Sequence, residues 1–141
     1  MGMNILFIED NLTDVEYIKE AFNNVEATTL IHSVATRREA LELLSGEDDG
    51  ISITSPDLLL LDLTLPEDNG FTVLESVREK PEHTGLPVII LTNSDDEEDI
   101  LRSYELHANA FLRKPSDPSE YEALAEQIVK FWVNHNHTPP E

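Results

Sequence analysis

The stretch LLLLD at residues 58–62 decides how the rest of this sequence is interpreted. Four consecutive leucines have no polar side, which is typical of a strand covered on both faces within a parallel sheet. The stretch PVIILT at residues 87–92 has the same character, and ILFI at residues 5–8 is a third apolar run. Each run is followed by polar residues, so the sequence predicts buried strands that carry polar groups at their carboxyl ends.

Helical patterns lie between these runs. Val15, Ile18 and Phe22 recur at helical spacing after the first run, and Thr36 with Glu39 fits a capping box that opens a second helix. Further strands are predicted within residues 28–34 and at residues 110–113. Five strands alternating with five helices predict an α/β fold, a doubly wound five-stranded parallel sheet with helices on both faces, in a single domain.

Length and charge exclude several classes of protein. A chain of 141 residues can bury roughly two-thirds of its unfolded surface in one core. Nine basic residues against 29 acidic ones give a formal net charge of −20, which repels nucleic acids and anionic lipids. The chain has no cysteine, which excludes disulfides, thiolate metal sites and cysteine nucleophiles. We therefore expect no nucleic-acid partner and no membrane partner.

The sequence also predicts the cellular location of the protein and the kind of organism that makes it. It begins without the basic region and long apolar segment of a signal peptide and has no run of membrane-spanning length, which predicts a cytoplasmic protein. So large an acid excess also predicts a halophilic source, because concentrated salt screens the repulsion between carboxylates.

Two segments are expected to lie outside the core. Residues 46–56 are acidic, contain glycine and serine and lack periodicity, which predicts a long exposed loop. The last helical pattern ends in the Phe131-Trp132 pair, so we expect a domain over residues 1–134 and a polar C-terminal tail over residues 135–141. We expect no further domain after this tail, so that the protein acts through another protein.

The polar residues at the strand ends form the candidate site: Glu9, Asp10, Asp62, Thr92 and Lys114. In open parallel sheets the ligand site lies outside the carboxyl ends of the strands. Three carboxylates at one edge repel one another unless a cation neutralises them, and hard oxygen ligands suit Mg²⁺. An ammonium and a hydroxyl beside them can hold phosphoryl oxygens. This set predicts phosphoryl transfer.

Asp62 is the predicted nucleophile because it ends the most apolar strand and should sit centrally in the sheet. Glu9 and Asp10 then remain to bind the metal. A carboxylate that attacks phosphorus becomes an acyl phosphate, with Mg²⁺ and Lys114 neutralising the equatorial oxygens.

The sequence resembles the response regulator receiver domains of two-component signalling. The resemblance is carried by IEDN at residues 8–11, LDLTLP at residues 61–66 with Gly70 beyond it, PVIILT at residues 87–92 and Lys114-Pro115. It covers the chain from Ile5 to about Trp132. It implies the flavodoxin-like strand order 2-1-3-4-5 and a phosphoacceptor signalling domain, not an enzyme acting on a separate substrate.

The resemblance also assigns roles to the site residues. Asp62 accepts a phosphoryl group from a sensor histidine kinase, and Thr92 and Lys114 contact that group. The implied Mg²⁺ ligands are Glu9, Asp10, Asp62 and the backbone carbonyl of Thr64.

The same resemblance implies a cis peptide bond between Lys114 and Pro115, which would direct the lysine side chain. It also implies a switch, in which Thr92 moves toward the phosphoryl group and Phe111 turns inward. This movement repacks the face made by the fourth helix, the fifth strand and the fifth helix. The same face is the expected surface for a homodimer.

One position departs from the family pattern. Asn93 stands where a small residue usually follows the threonine, which bears on access to the phosphoryl group and on the rate of dephosphorylation. Thr64 and Ser94 flank the site and are expected to tune the same rate. The opening of the chain, its long second loop and the Phe131-Trp132 ending are similar to small stand-alone receivers that partner phytochrome-like and other sensor histidine kinases.

Two other functions compete with this interpretation. A phosphotransferase of the haloacid dehalogenase type also uses a strand-end aspartate nucleophile, but its pattern places a second acid two residues later, where this chain has Thr64. A receiver-like interaction module that has lost phosphorylation is the other alternative. Intact Asp10, Asp62, Thr92 and Lys114 argue against it, because a degenerate receiver usually loses at least one of these groups.

Overall fold

A computed structural model describes residues 3–26, 28–45, 56–65 and 69–135, with the main chain alone at residues 133–135. Nearly all of the predicted loop at residues 46–56, all but the first residue of the predicted tail, and Pro66 lie outside the described residues. The domain boundary predicted at residue 134 therefore stays a prediction.

The described residues form five strands and five α-helices. The strands are β1 (Asn4–Ile8), β2 (Leu30–Val34), β3 (Leu58–Leu61), β4 (Val88–Thr92) and β5 (Ala110–Arg113). The helices are α1 (Leu12–Val25), α2 (Arg37–Ser45), α3 (Gly70–Glu79), α4 (Glu97–Glu105) and α5 (Tyr121–Ile128). Short 3₁₀ turns cover Pro81–His83 and Pro118–Glu120, and a π-helical segment, Val129–His135, continues α5.

The strands make one parallel sheet in the order β2-β1-β3-β4-β5. Its register places Ile8 beside Leu61, and Leu61 beside Ile90. The three central strands therefore end almost level, and the residues after them lie at one edge. This arrangement confirms the fold class and strand order predicted from the sequence.

Alternate residues of the sheet serve two separate cores. Leu59, Leu61 and Ile90 face α2 and α3, whereas Leu58 and Leu60 face α1 and α5. All four leucines of β3 are fully buried, as expected for a strand with helices on both sides. This double burial makes β3 the rigid support of the residue that follows it, Asp62. No helix in the described part of the chain is long and apolar enough to span a membrane.

Helix α4 is packed least tightly. Ser103 is its only buried residue, and Leu101 and Tyr104 are 63% and 48% exposed. The Arg102 guanidinium lies over the Phe71 ring, 4.6 Å from its centroid, and connects α4 to α3. Helix α4 therefore exposes apolar side chains to solvent on the face that is predicted to repack.

Candidate functional site

Glu9 enters the site directly after β1. Its backbone amide donates to the Val34 carbonyl at 2.9 Å, and its side chain is buried. One carboxylate oxygen, Oε2, accepts from the Asn11 amide at 3.2 Å. Asp10, the next residue, is exposed. The end of β1 therefore supplies one buried and one solvent-facing carboxylate.

Asp62 is held in place through both its backbone and its side chain. Its amide donates to the Ile8 carbonyl at 3.1 Å, and its Oδ1 accepts from the Thr64 amide at 3.1 Å. Gly70 packs so closely that an added Cβ would collide with the Asp62 carbonyl oxygen and with Leu63 Cα. A glycine is needed at residue 70 for this close approach. The sharp return of the chain after β3 thus fixes the Asp62 main chain.

Lys114 follows β5 and reaches the same place. Its backbone amide donates to the Thr92 carbonyl at 2.7 Å, which continues the sheet beyond β5. Its ammonium donates to Asp62 Oδ2 at 2.8 Å and to Asp14 Oδ2 at 2.7 Å. Glu9 Oε1 lies 2.5 Å from the same nitrogen without hydrogen-bond geometry, so this buried oxygen has no hydrogen-bond donor. One ammonium, 3% exposed, thus faces carboxylates from three elements.

Asp14 is the site residue that sequence reasoning missed. It lies in the first turn of α1, where the Asn11 side chain caps the helix by accepting from the amides of Thr13 and Asp14 at 3.0 and 3.2 Å. A carboxylate in the first helical turn after a site strand is the signal that could have found it. Its partner, Lys114, is a hundred residues away in sequence, so no local pattern links the two.

The close carboxylates shift one another's proton affinity. Burial, followed by the neighbouring Asp62, raises the pKa of Glu9 to about 8, against the opposing effect of Lys114. Burial would also raise the pKa of Asp62, but Glu9 and Lys114 together hold it below its usual range. The proton of this pair therefore resides on Glu9, and Asp62 stays ionised. Burial would lower the pKa of Lys114, but its carboxylate partners, Asp14 first, raise it above its usual range.

The other predicted residues surround this cluster. Thr92 is buried at the end of β4, and its Oγ1 accepts from the Ser94 amide at 3.5 Å. Ser94 donates its hydroxyl to Asp99 of α4 at 2.7 Å, whereas Asn93 is exposed. Phe111 is half-buried against the core on the α3 side. Thr92 is thus connected to the first turn of α4 through a single residue, Ser94.

The donor set fits a hard divalent cation in part. Glu9 and Asp62 are close together, and Glu9 Oε1 is a buried oxygen without a donor, as a metal ligand would be. Within the described residues, however, no group of three acidic or histidine side chains is arranged so that it could hold a metal ion. Asp10 faces solvent, and the Lys114 ammonium lies between the other carboxylates. The predicted Mg²⁺ ligands are therefore not all assembled, and the assignment of Glu9, Asp10, Asp62 and Thr64 stays a prediction.

The predicted cis bond before Pro115 is wrong. The described residues contain no cis peptide, and Lys114-Pro115 is trans. The trans form is favoured by about 0.5–1 kcal/mol even before proline. The ion pairs with Asp14 and Asp62 aim the lysine side chain in its place.

The chain resembles known proteins in sequence and in fold. The family sequence model of the response regulator receiver domain matches residues 5–126. The chain belongs to the response regulator receiver family. This assignment confirms the resemblance drawn from the strand-end motifs. Phosphorylation is typical of this family.

Individual relatives cover almost the whole receiver. The response regulator Rcp1 of Synechocystis is 31% identical over 132 residues, 92% of this chain and 88% of Rcp1. The phosphorylated cyanobacterial phytochrome response regulator RcpA superimposes with a TM-score of 0.91 at 32% identity, covering 99% of this chain and 100% of RcpA. The Mn²⁺-bound form of Rcp1 gives 0.87 at 28% identity, with coverage of 98% and 99%. The receiver described here is therefore similar in extent to small response regulators.

Proposed function

We propose that this protein is a stand-alone response regulator that accepts a phosphoryl group on Asp62 from a sensor histidine kinase. One observation carries the proposal. The Asp62 carboxylate is buried at the carboxyl end of the central strand, stays ionised, and lies 2.8 Å from the Lys114 ammonium. An ionised carboxylate is a nucleophile, and the adjacent cation lowers the cost of bringing a phosphoryl group beside it.

The transfer itself is simple. One Asp62 oxygen attacks the phosphorus of a phosphohistidine, the P–N bond breaks, and the imidazole leaves with the electron pair of that bond. Asp62 becomes an acyl phosphate. The Lys114 ammonium donates to a phosphoryl oxygen, and the Thr92 hydroxyl is placed one strand away to donate to another. Hydrolysis of the acyl phosphate by water later restores the carboxylate.

We further propose Glu9, Asp10, Asp62 and the Thr64 carbonyl as ligands of Mg²⁺. Bound there, the ion would neutralise phosphoryl oxygens during transfer. The Mn²⁺-bound form of Rcp1 supports a divalent cation in this family member as well. Asp10, exposed beside Glu9, has the freedom to turn toward the ion, and Lys114 must leave part of its contact with Glu9 and Asp62.

The output is proposed to pass through the α4, β5 and α5 face. The Thr92 hydroxyl accepts from the Ser94 amide, and Ser94 donates to Asp99 of α4, so movement of this hydroxyl toward a phosphoryl group removes the acceptor of the Ser94 amide. Phe111 on β5 is half-buried against the core and is proposed to turn inward. Exposed Leu101 and Tyr104 supply the apolar surface that a downstream protein, or a second copy, would cover.

The similarity to RcpA, a phytochrome response regulator, supports a phytochrome-type kinase as the phosphodonor. The cytoplasmic location and the halophilic source stay predictions from the sequence. Asn93, exposed beside Thr92, is proposed to slow access of water to the acyl phosphate, together with Thr64 and Ser94.

Intact mass spectrometry tests the proposal directly. The protein is incubated with Mg²⁺ and acetyl phosphate, which donates its phosphoryl group to Asp62 and releases acetate. Wild type should gain one labile phosphoryl group, and Asp62→Asn should gain none. Asp57→Asn is the matched control, because Asp57 lies at the opposite end of β3 and accepts from the Asn4 amide. A wild type that folds and takes no phosphate would favour a phosphorylation-independent interaction module.

A further inference from the structure

The Lys114 ammonium has more carboxylate partners than the proposed reaction assigns to it. Its three contacts come from Glu9 after β1, Asp62 after β3 and Asp14 in α1. Two of these partners, Glu9 and Asp62, are proposed metal ligands, and Asp62 also becomes the acyl phosphate. Asp14 has no such second role.

Asp14 is held firmly in place. The Asn11 cap fixes its backbone amide at 3.2 Å, and its side chain is only 16% exposed. Tyr121 of α5 packs against Tyr17 of α1, with ring centroids 5.4 Å apart. Burial raises the pKa of Tyr121 to about 12, and the charge of nearby Asp14 adds to the rise. The carboxylate therefore lies near Tyr121 of α5 and is largely shielded from solvent.

A buried ammonium needs an anionic partner in every state of the site. An ammonium left without one in a buried position is strongly destabilised. When a metal and a phosphoryl group engage the oxygens of Glu9 and Asp62, those contacts weaken. The bond from Lys114 to Asp14, 2.7 Å long, involves neither group and can persist.

We infer that Asp14 is a positioning residue that keeps the Lys114 ammonium beside Asp62 while the other carboxylates bind metal and phosphate. The inference rests on the proposed function and adds a fourth carboxylate to the site. Asp14 holds the cation near enough to share one of its three N–H donors with a phosphoryl oxygen.

Three substitutions on α1 test the role. Asp14→Asn removes the charge at nearly constant size, Asp14→Glu restores it, and Glu16→Gln removes an equal charge from an exposed position of the same helix. We expect the initial rate of labelling by acetyl phosphate to fall about tenfold in Asp14→Asn, because a misplaced cation stabilises the transition state less well. Asp14→Glu should recover part of the rate, and Glu16→Gln should stay within about twofold of wild type.

A double-mutant cycle separates positioning from a structural role. Asp14→Asn is combined with Lys114→Gln, and labelling is compared with that of the single variants. If Asp14 acts through Lys114, adding Asp14→Asn to Lys114→Gln should slow labelling no further than Lys114→Gln does alone. Rate losses that multiply would overturn the inference, because Asp14 would then act independently of the lysine.

NMR spectroscopy can follow the Lys114 ammonium directly. In protein labelled with ¹⁵N-lysine, Lys114 is one of four lysines and should give a slowly exchanging NH₃⁺ signal, since it is paired with buried carboxylates. Mg²⁺ with beryllium fluoride, a phosphoryl mimic, should leave this signal sharp in wild type and Glu16→Gln and broaden it in Asp14→Asn. A sharp signal in Asp14→Asn would contradict the inference.

The two proposals fail separately. A wild type that takes no phosphate from acetyl phosphate overturns the proposed function and this inference with it. A wild type that is labelled at Asp62, together with an Asp14→Asn variant labelled at the same rate, overturns the inference alone.

Discussion

The two ends of the sheet each hold a cation among hydrogen-bond acceptors, but the acceptors differ in kind. At the amino-terminal end, Arg78 of α3 donates to the backbone carbonyls of Leu86 at 2.7 Å, His83 at 3.0 Å and His107 at 2.8 Å. It also donates to the Asn109 side chain at 3.0 Å. At the carboxyl end, Lys114 faces three carboxylates. The first cation has neutral, fixed acceptors, and the second is outnumbered by negative charge.

This difference separates a structural site from a functional one. The carbonyls around Arg78 belong to turns that close α3 and lead into β4 and β5, including His107 in the left-handed backbone region at φ 72°. The acceptors named around Arg78 are neutral groups of these turns, and the guanidinium ties them together. Around Lys114 the carboxylates exceed the cations, and Glu9 Oε1 has no donor. Excess charge and an unsatisfied oxygen provide a place where a second cation and a phosphoryl group can bind.

The largest expected effect compares the two cations directly. Lys114→Gln should slow labelling by acetyl phosphate about 100-fold or more, because it removes the charge that stabilises the phosphoryl oxygens. Arg78→Gln should leave the labelling rate of the folded protein within about twofold of wild type. It should instead lower the free energy of unfolding by about 1–3 kcal/mol, because it leaves several partly buried carbonyls without their donor. Labelling kinetics and urea unfolding measure the two quantities.

The contrast would fail if Arg78→Gln slowed labelling as strongly as Lys114→Gln while remaining folded. The amino-terminal end of the sheet would then take part in the chemistry, and the separation of the two ends would be wrong.

A second prediction concerns the backbone beneath Asp62. Gly70→Ala should displace the Asp62 carbonyl, because the added Cβ has no room beside it. We expect a loss of about 1–3 kcal/mol in the free energy of unfolding and slower labelling of the folded fraction. Urea unfolding gives the first quantity and labelling at low temperature the second. If Gly70→Ala had the wild-type stability and the wild-type labelling rate, the main chain after β3 would accommodate the added methyl group, and the prediction would be wrong.

The third prediction follows from the proton on Glu9. Because the pKa of Glu9 is about 8, the metal-free site holds this proton at neutral pH and must release it when Mg²⁺ binds. Mg²⁺ affinity should therefore rise between pH 6 and 8, approaching about tenfold per pH unit at the acidic end, and level off above pH 8. Calorimetry in buffers of different ionisation enthalpy measures the released proton. The Glu9→Gln variant should bind Mg²⁺ more weakly, with an affinity that does not depend on pH in this range. If the Mg²⁺ affinity of wild type did not change with pH, the assignment of the proton to Glu9 would be wrong.

The smallest effect concerns the whole surface. With a net charge of −20, unfolding relieves repulsion, and added salt screens that repulsion in the folded state. Raising KCl from 0.1 to 2 M should raise Tm by about 5 °C, which corresponds to ~1 kcal/mol for a domain of this size. A variant with exposed acids neutralised at residues 16, 20, 97 and 98 should respond less. An equal response in both would mean that net charge is not the cause.

The sequence was sufficient to predict the sheet and to bring Asp62, Glu9 and Lys114 to one edge of it, because apolar runs locate strands and parallel strands bring their carboxyl ends together. The roles of these three residues stay predictions. Asp14 was missed because its place depends on the rotation of α1 set by the Asn11 cap, which no motif encodes. The exposure of Leu101 likewise depends on how α4 packs, and the trans bond before Pro115 depends on local geometry that a family resemblance misjudged.

The most direct test of the central claim is to locate the phosphoryl group chemically. After labelling with acetyl phosphate and Mg²⁺, borohydride reduces an acyl phosphate of aspartate to homoserine, and peptide mass spectrometry identifies the reduced residue. The account predicts homoserine at residue 62 and at no other acidic position. Reduction at Asp10 or Asp14 instead, or a stable phosphate on a histidine or hydroxyl residue, would contradict it.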